Sequence, residues 1–453
     1  MSVYNQFMNK KRVIYGLFIG ALLMVGVWMS SPVQSVAQTP IVLYVRGACK
    51  FPLPSGYQVE CGDLTVPQNR DLPHGRSIKL HVAYFHSTNP NPPEDPILYL
   101  VGGPGVSLLY DIEHLFYHFE VYLANRDVIV FDQRGTGYAR PALLCENAHF
   151  GIESAEVCGR FYRQWGIDLE AFSSVESAAD AEDLRRALGI RAWNVVGVSY
   201  GSRLAQVIAR DHPQGVRSVI LDSVAELDGV DYSRYSSRIE WPRQILRDCE
   251  ADPPCRAAYP NIVEVFDDVV GRLVRQPVRV QDGEERIWLD VEMFIALTHQ
   301  HISSHDGARA FPAMIAAAAQ GNFAPLLDYE VSYTLFDLMN TAINCNDGLY
   351  DWFTCDAYGI TVGPPLDEQP INFAMPTLIV NGHWDPLTPT ESAKAVWRAL
   401  PNAVFVEFPY LSHGVVRSGD TCAVSIAFAF LDDPTQPLPL ECVSATHPNF
   451  VLP

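Results

Sequence analysis

"NVVGVSYGSRLA", residues 194–205, decides how this chain is read. A run of β-branched residues, which suit the packed surface of a strand, breaks at Gly197-Val198-Ser199-Tyr200-Gly201, and small and helix-forming residues then resume. Buried strand, glycine-flanked serine and helix is the succession that a nucleophile elbow requires, because glycines let strand and helix approach without clashing Cβ atoms. The same five residues also suit a tight turn in which Ser199 merely caps the following helix. The rest of the chain has to decide between the two.

A serine hydroxyl is a poor nucleophile without a base, and the base needs an acid to orient it. Behind an elbow of this kind the order along the chain is Ser, then Asp or Glu, then His. "PTLIVNGHWDPLTP" (376–389) places Asp385 just beyond an apolar run, and "FPYLSHGVV" (408–416) places His413 just beyond the next. His383 is a rival base, but it precedes the acid within the same loop and ranks below His413. The oxyanion of a tetrahedral intermediate needs donors. "LVGGPGVS" (100–107) follows another apolar run with a turn whose backbone can approach a substrate closely, so the amides of Gly103 and Tyr200 are the expected pair. In "VIVFDQRGTGYARP" (128–141), Asp132 and Arg134 are expected to form a buried ion pair holding the nearby loops. The glycine spacing there does not give the dinucleotide fingerprint.

"PILYLVG", "DVIVFD", "NVVGVS", "SVILDS" and "TLIVNG" are nearly continuous apolar runs, as in strands buried on both faces, with helical patterns between them. "IKLHVAYF" (78–85) alternates and suits an edge or antiparallel strand, and "VFVEFP" (404–409) continues the set. Residues 178–188, acidic early and basic late, suit a helix dipole. The expected fold is α/β with a mostly parallel central sheet. The strand–helix rhythm lapses between about 224 and 372, where apolar residues recur at helical spacing; this predicts a mainly helical cap inserted before the strands of the acid and the base. The organisation is then 1–37 leader, 38–223 core, 224–372 cap and 373–453 core.

Lys10, Lys11 and Arg12 precede an apolar stretch from Val13 to Met29, and Ser35-Val36-Ala37 offers small residues for cleavage. This predicts a signal peptide, with an uncleaved N-terminal anchor as the alternative, and a secreted or extracytoplasmic folded part. Ten cysteines follow in close sequential pairs: Cys49/Cys61, Cys145/Cys158, Cys249/Cys255, Cys345/Cys355 and Cys422/Cys442. An even count in an exported chain favours disulfides, and sequential pairing is the simplest connectivity among many. No CxxC or HxxxH pattern points to a metal. A formal net charge of −20, with no basic cluster beyond the N-terminus, argues against nucleic-acid binding.

With those residues assembled, the chain resembles the α/β-hydrolase serine peptidases that include prolyl and tripeptidyl aminopeptidases. The resemblance rests on "GGPG" (102–105), "DQRGTG" (132–137), "GVSYGS" (197–202), "WDPLTP" (384–389) and "SHG" (412–414). "VECGDLTVP" (59–67), "AINCNDG" (342–348) and the Cys422/Cys442 pair favour the secreted tripeptidyl branch. Prolyl aminopeptidases carry His before the glycine turn and Trp after the serine, where this chain has Val101 and Tyr200.

The resemblance implies an α/β-hydrolase fold, a peptide substrate with a free N-terminus, an acyl-enzyme and no cofactor. It also implies acidic recognition of the substrate amine from the cap side. Asn346 and Asp347 are the first candidates, on a Cys345–Cys355 bridge, with Glu226, Asp228 and Glu240 behind them. A secreted carboxylesterase or lipase-like hydrolase uses the same triad, and a catalytically silent binding protein on this fold is the third reading.

Overall fold

The computed structural model describes residues 42–453, apart from 73–74, 146–151, 228–238, 283–284 and 329–332. The expected leader (1–37) and Asp228 therefore lie outside the described residues. The strands are β1 (Leu43–Gly47), β2 (Val59–Pro67), β3 (Ser77–Phe85), β4 (Ile97–Leu100), β5 (Val128–Phe131), β6 (Trp193–Ser199), β7 (Val216–Val224), β8 (Val278–Asp282), β9 (Glu285–Leu289), β10 (Thr377–Gly382) and β11 (Ala403–Phe408). Nine of them form one sheet in the order β1-β2-β3-β5-β4-β6-β7-β10-β11.

The pairs from β5 through β4, β6, β7 and β10 to β11 are all parallel. β4, β5 and β10 are buried along their whole length, which is why their sequences carry no polar alternation. β3 pairs antiparallel with both β2 and β5, so the alternating segment is antiparallel but lies inside the sheet rather than at its edge.

The helix expected over 178–188 runs from Ser174 to Ala187. Its start is set by Ser173, whose hydroxyl accepts the Glu176 amide, as in a capping box. Glu176, Asp180 and Asp183 on this helix are held by two arginines from other elements. Arg134, fully buried, donates to both Asp180 oxygens at 2.7 and 2.8 Å, and Arg70 adds a 2.8 Å bond to Asp180 and a 2.6 Å bond to Asp183.

The expected Asp132–Arg134 pair does not form. Asp132 instead accepts the Ser107 hydroxyl and the Tyr138 amide, and its burial pushes its carboxyl up to about 7. The two side chains leave the end of β5 for different neighbours, a matter of direction that adjacency in sequence does not report.

Between β7 and β10, helices Glu240–Ala251, Ile262–Arg275, Val291–Ile302 and His305–Ala319 enclose an apolar core of their own, with Leu246, Phe266, Phe294 and Phe311 buried in it. Trp384 and Phe450, from outside this segment, complete that core. The segment also carries the antiparallel β8–β9 pair, which the helical reading overlooked; the Asp-Gly dipeptide between alternating residues in the sequence was the available signal.

Residues from Phe336 to Phe373 pack into a different cluster, on the sheet face that also receives the helix Tyr200–Asp211. All five sequential cysteine pairs are disulfides, closing short loops of 6 to 20 residues. No helix among the described residues is long and apolar enough to cross a membrane.

Removing one partner of a buried ion pair leaves the other charge uncompensated. Arg134→Ala should therefore lower unfolding free energy by about 3 kcal/mol in a urea titration. An unchanged midpoint would mean that Arg70 alone satisfies Asp180.

Candidate active site

Ser199 ends β6 and stands at the start of helix Tyr200–Asp211 with φ 59° and ψ −128°. A left-handed φ is costly for a residue with a Cβ and persists only where the surroundings over-determine it. Here they do. A Cβ on Gly201 would lie 2.1 Å from the Leu100 carbonyl oxygen, so β4 and the helix approach as closely as backbone permits. The Ser202 hydroxyl donates to the Ser199 carbonyl at 2.6 Å and accepts the Ala225 amide at 2.9 Å. Ser199 is thus turned out of the strand and offers no side-chain cap to its own helix.

The glycine turn after β4 lies directly against it. A Cβ on Gly102 would stand 2.7 Å from the Ser199 Cβ and 3.0 Å from its Oγ. Gly103 follows at φ 115°. Tyr200 is the first helical residue, so its amide has no acceptor within the helix. Of the two residues expected to face an oxyanion, Gly103 thus follows the glycine that touches Ser199, and Tyr200 follows Ser199 itself.

Asp385 and His413 come together across 28 residues, with Nδ1 of His413 2.8 Å from Oδ2 of Asp385 and both side chains almost completely buried. Burial alone would push the Asp385 carboxyl up. The charge and hydrogen bond of His413, with bonds from the Thr388 hydroxyl and amide, outweigh it and hold the carboxyl below its ordinary range. Asp385 Oδ1 accepts the amides of Leu387 and Thr388, and Oδ2 accepts the Thr388 hydroxyl at 2.6 Å. An ionised acid so fixed leaves Nδ1 of His413 as the donor and Nε2 free to accept a proton.

The base loop is tied to the strand beside the serine. At the end of β7, whose neighbour is β6, the Asp222 carboxylate accepts the amides of Val415 and Val416 at 2.7 and 2.9 Å, and the Ser223 hydroxyl accepts that of Gly414 at 2.7 Å. His383 pairs with Glu407 at 2.8 Å and so does not compete for Asp385; that bond raises its pKa.

Asn346 and Asp347, the candidates for a substrate amine, are turned to partners within the protein. Asn346 donates to the carbonyls of Leu169 and Phe172. Asp347 is fully buried, accepting the Ser174 amide at 3.0 Å and its hydroxyl at 2.5 Å, and that hydroxyl lies 2.9 Å from the Tyr200 phenol. These bonds brace the helix start and the side chain beside the serine, and the Asp347 carboxyl has no exposed surface.

Glu240 pairs with Arg243 and Arg247 on an exposed helix face, and the Glu226 carbonyl receives Arg203. Sequence reasoning missed Thr388, three residues past the acid, and the Asp222–Ser223 pair. Neither has a signature until the loops are in place.

Residues 95–259 match the family described as alpha/beta hydrolase fold, and residues 344–442 match that described as TAP-like protein. Serine protease Hip1 of Mycobacterium tuberculosis is 25% identical over 454 residues, covering 83% of this chain and 86% of that protein. A proline iminopeptidase of Neisseria meningitidis is 23% identical over 72% of this chain and 84% of its own. A tripeptidyl aminopeptidase of Streptomyces lividans is 28% identical over 37% of this chain and 35% of its own.

Hydrogen bonds to a charged group contribute about 1.5–3 kcal/mol. Thr388→Val, which keeps the shape and loses the hydroxyl, should then lower kcat about 10- to 100-fold with folding intact. Unchanged turnover would show that the two amides suffice to hold Asp385.

Burial raises the folded-state pKa of Asp347 to about 6, although its Ser174 bonds oppose the rise. Folded protein then holds a proton that the unfolded chain has released, so this group's contribution to stability falls as pH climbs from about 4 to about 6. Asp347→Asn should remove a decline of order 2–3 kcal/mol over that window, read from urea midpoints. An identical slope in the variant would overturn the assignment.

Proposed function

From the premise that this chain belongs to the α/β-hydrolase peptidases, we propose that it is an exported serine aminopeptidase. It releases short peptides or single residues from free N-termini. The observation that carries the reading is the buried Asp385–His413 pair, hung from the end of β7 beside the strand that presents Ser199. The peptide class is supported by relatives named as a serine protease, a tripeptidyl aminopeptidase and a proline iminopeptidase. Export is supported by the basic and apolar N-terminal stretch and by the five disulfides, which persist in oxidising compartments.

In this reading Nε2 of His413 takes the Ser199 proton as Oγ bonds to the scissile carbonyl carbon. Asp385 steadies the imidazolium that forms. The amides of Gly103 and Tyr200 face the developing oxyanion. The proton then passes to the departing amine as the C–N bond breaks, leaving an ester on Ser199 that water cleaves by the same base.

Labelling with a fluorophosphonate, followed by peptide mass spectrometry, should place the adduct on Ser199. Ser199→Ala should cost at least about 10³-fold in turnover. An aminoacyl anilide with a free amine should turn over at least about tenfold faster than its N-acetylated counterpart, since acetylation removes the charge that a desolvated partner recognises. Equal turnover of the two would sink the aminopeptidase reading and leave an ester or amide hydrolase with the same serine.

A further inference from the structure

The loop that carries His413 is gripped on two sides. From the core, Asp222 and Ser223 hold the amides of residues 414–416. From the cap, His305 opens the helix His305–Ala319 and meets the same loop with both ring nitrogens. The Ser412 amide donates to His305 Nδ1 at 3.0 Å, and His305 Nε2 lies 3.1 Å from the Gly414 carbonyl oxygen. The residues immediately before and after the base are therefore fastened to one imidazole.

Two further threads run from the cap to the same place. The Ser412 hydroxyl donates to the carbonyl of Ile302, the last residue of the preceding cap helix. On the acid loop, the Trp384 indole donates to Asp248 of the cap at 2.7 Å, and its ring fills the cap core next to Asp385.

We infer that His305 is a positioning residue for the base, a cap-borne clamp that sets where His413 stands relative to Ser199. The inference rests on the triad reading above and deepens it: part of the catalytic geometry is supplied by the inserted segment rather than by the sheet. The chemistry of the clamp is narrow. Ser412 brings a donor and Gly414 an acceptor, so the ring must be neutral, with its proton on Nε2. A protonated ring would set N–H against N–H at Ser412.

The groups around His305 are compatible with the neutral form. Arg309 on its own helix and Arg417 beyond the base loop oppose a positive charge, while the bond to the Gly414 carbonyl and the charge of Asp385 favour one. Burial, the largest influence, brings its pKa down to about 4, so the clamp holds throughout the neutral range.

A small displacement of a catalytic group lowers rate far more than binding: about 1 Å costs about 10²-fold. The test uses the full oxidised chain with His305→Phe, which fills the space without polar atoms, and His305→Gln, whose amide offers an acceptor and a donor across one carbon. His305→Phe should lower kcat on an aminoacyl anilide about 10- to 100-fold, with KM changed less than about twofold. Fluorophosphonate labelling should slow in proportion, and the apparent pKa governing kcat/KM should move by about half a unit or more. His305→Gln should recover at least about a third of the lost activity on a logarithmic scale.

Wild-type kcat, labelling rate and pH profile in a folded His305→Phe would overturn the clamp. So would equal losses in the Phe and Gln variants, which would make the site one of packing only. Ser199→Ala run alongside separates the two layers. If it is inert while His305→Phe is unimpaired, only the clamp falls; if Ser199→Ala retains turnover, the triad reading falls and the clamp with it.

Discussion

Ser199 occupies a backbone conformation that an ordinary residue avoids, and much of the architecture can be read as what it takes to keep it there. A strained residue of this kind costs about 1–3 kcal/mol. The register of β6 on β7 fixes the strand that delivers it. Gly201 lets the helix press against β4, and the Ser202 hydroxyl closes the turn from within. The glycine turn at Gly102 lies against the Cβ of the serine. The sheet and its glycine turns thus fix where the Ser199 side chain stands.

The second requirement is an acid and a base in a dry setting. Asp385 is ionised in a buried site because three protein donors and the imidazole meet it there. An unpaired buried carboxylate would take up a proton, as burial inclines Asp132 and Asp347 to do. The contrast among these buried aspartates is one of partners, since all three are removed from water. Asp222 belongs with them: burial raises its pKa while two loop amides oppose the rise, and it uses those amides to moor the base. Core carboxylates thus fasten loops, and one of them orients an imidazole.

Much of this was legible in the amino-acid order because the underlying rules are local. A strand buried on both faces must be apolar throughout, so β4, β5, β6, β7 and β10 announced themselves. A serine elbow must be flanked by glycine, and an acid and a base at strand ends must follow it in order, so Ser199, Asp385 and His413 stood out as candidates, of which Asp385 and His413 meet in the fold. The failures have one cause. Asn346 and Asp347 are polar residues in a motif near a disulfide, and nothing in their neighbours says whether they point outward or inward. Asp132 and Arg134 are two residues apart at a strand end, yet they turn to Ser107 and to Asp180. The direction of a side chain is decided by what packs around it.

Amino-acid order by itself determined the class of sheet and singled out the candidate serine, acid and base, since periodicity and spacing are properties of neighbouring residues. Only the tertiary structure decided which polar groups serve the site and which serve the scaffold. Thr388 on Asp385, Asp222 and Ser223 under the base loop, and His305 above it belong to segments 3 to 193 residues away from their partners. Hydrogen bonding acts over about 3 Å of space, whatever the distance along the chain.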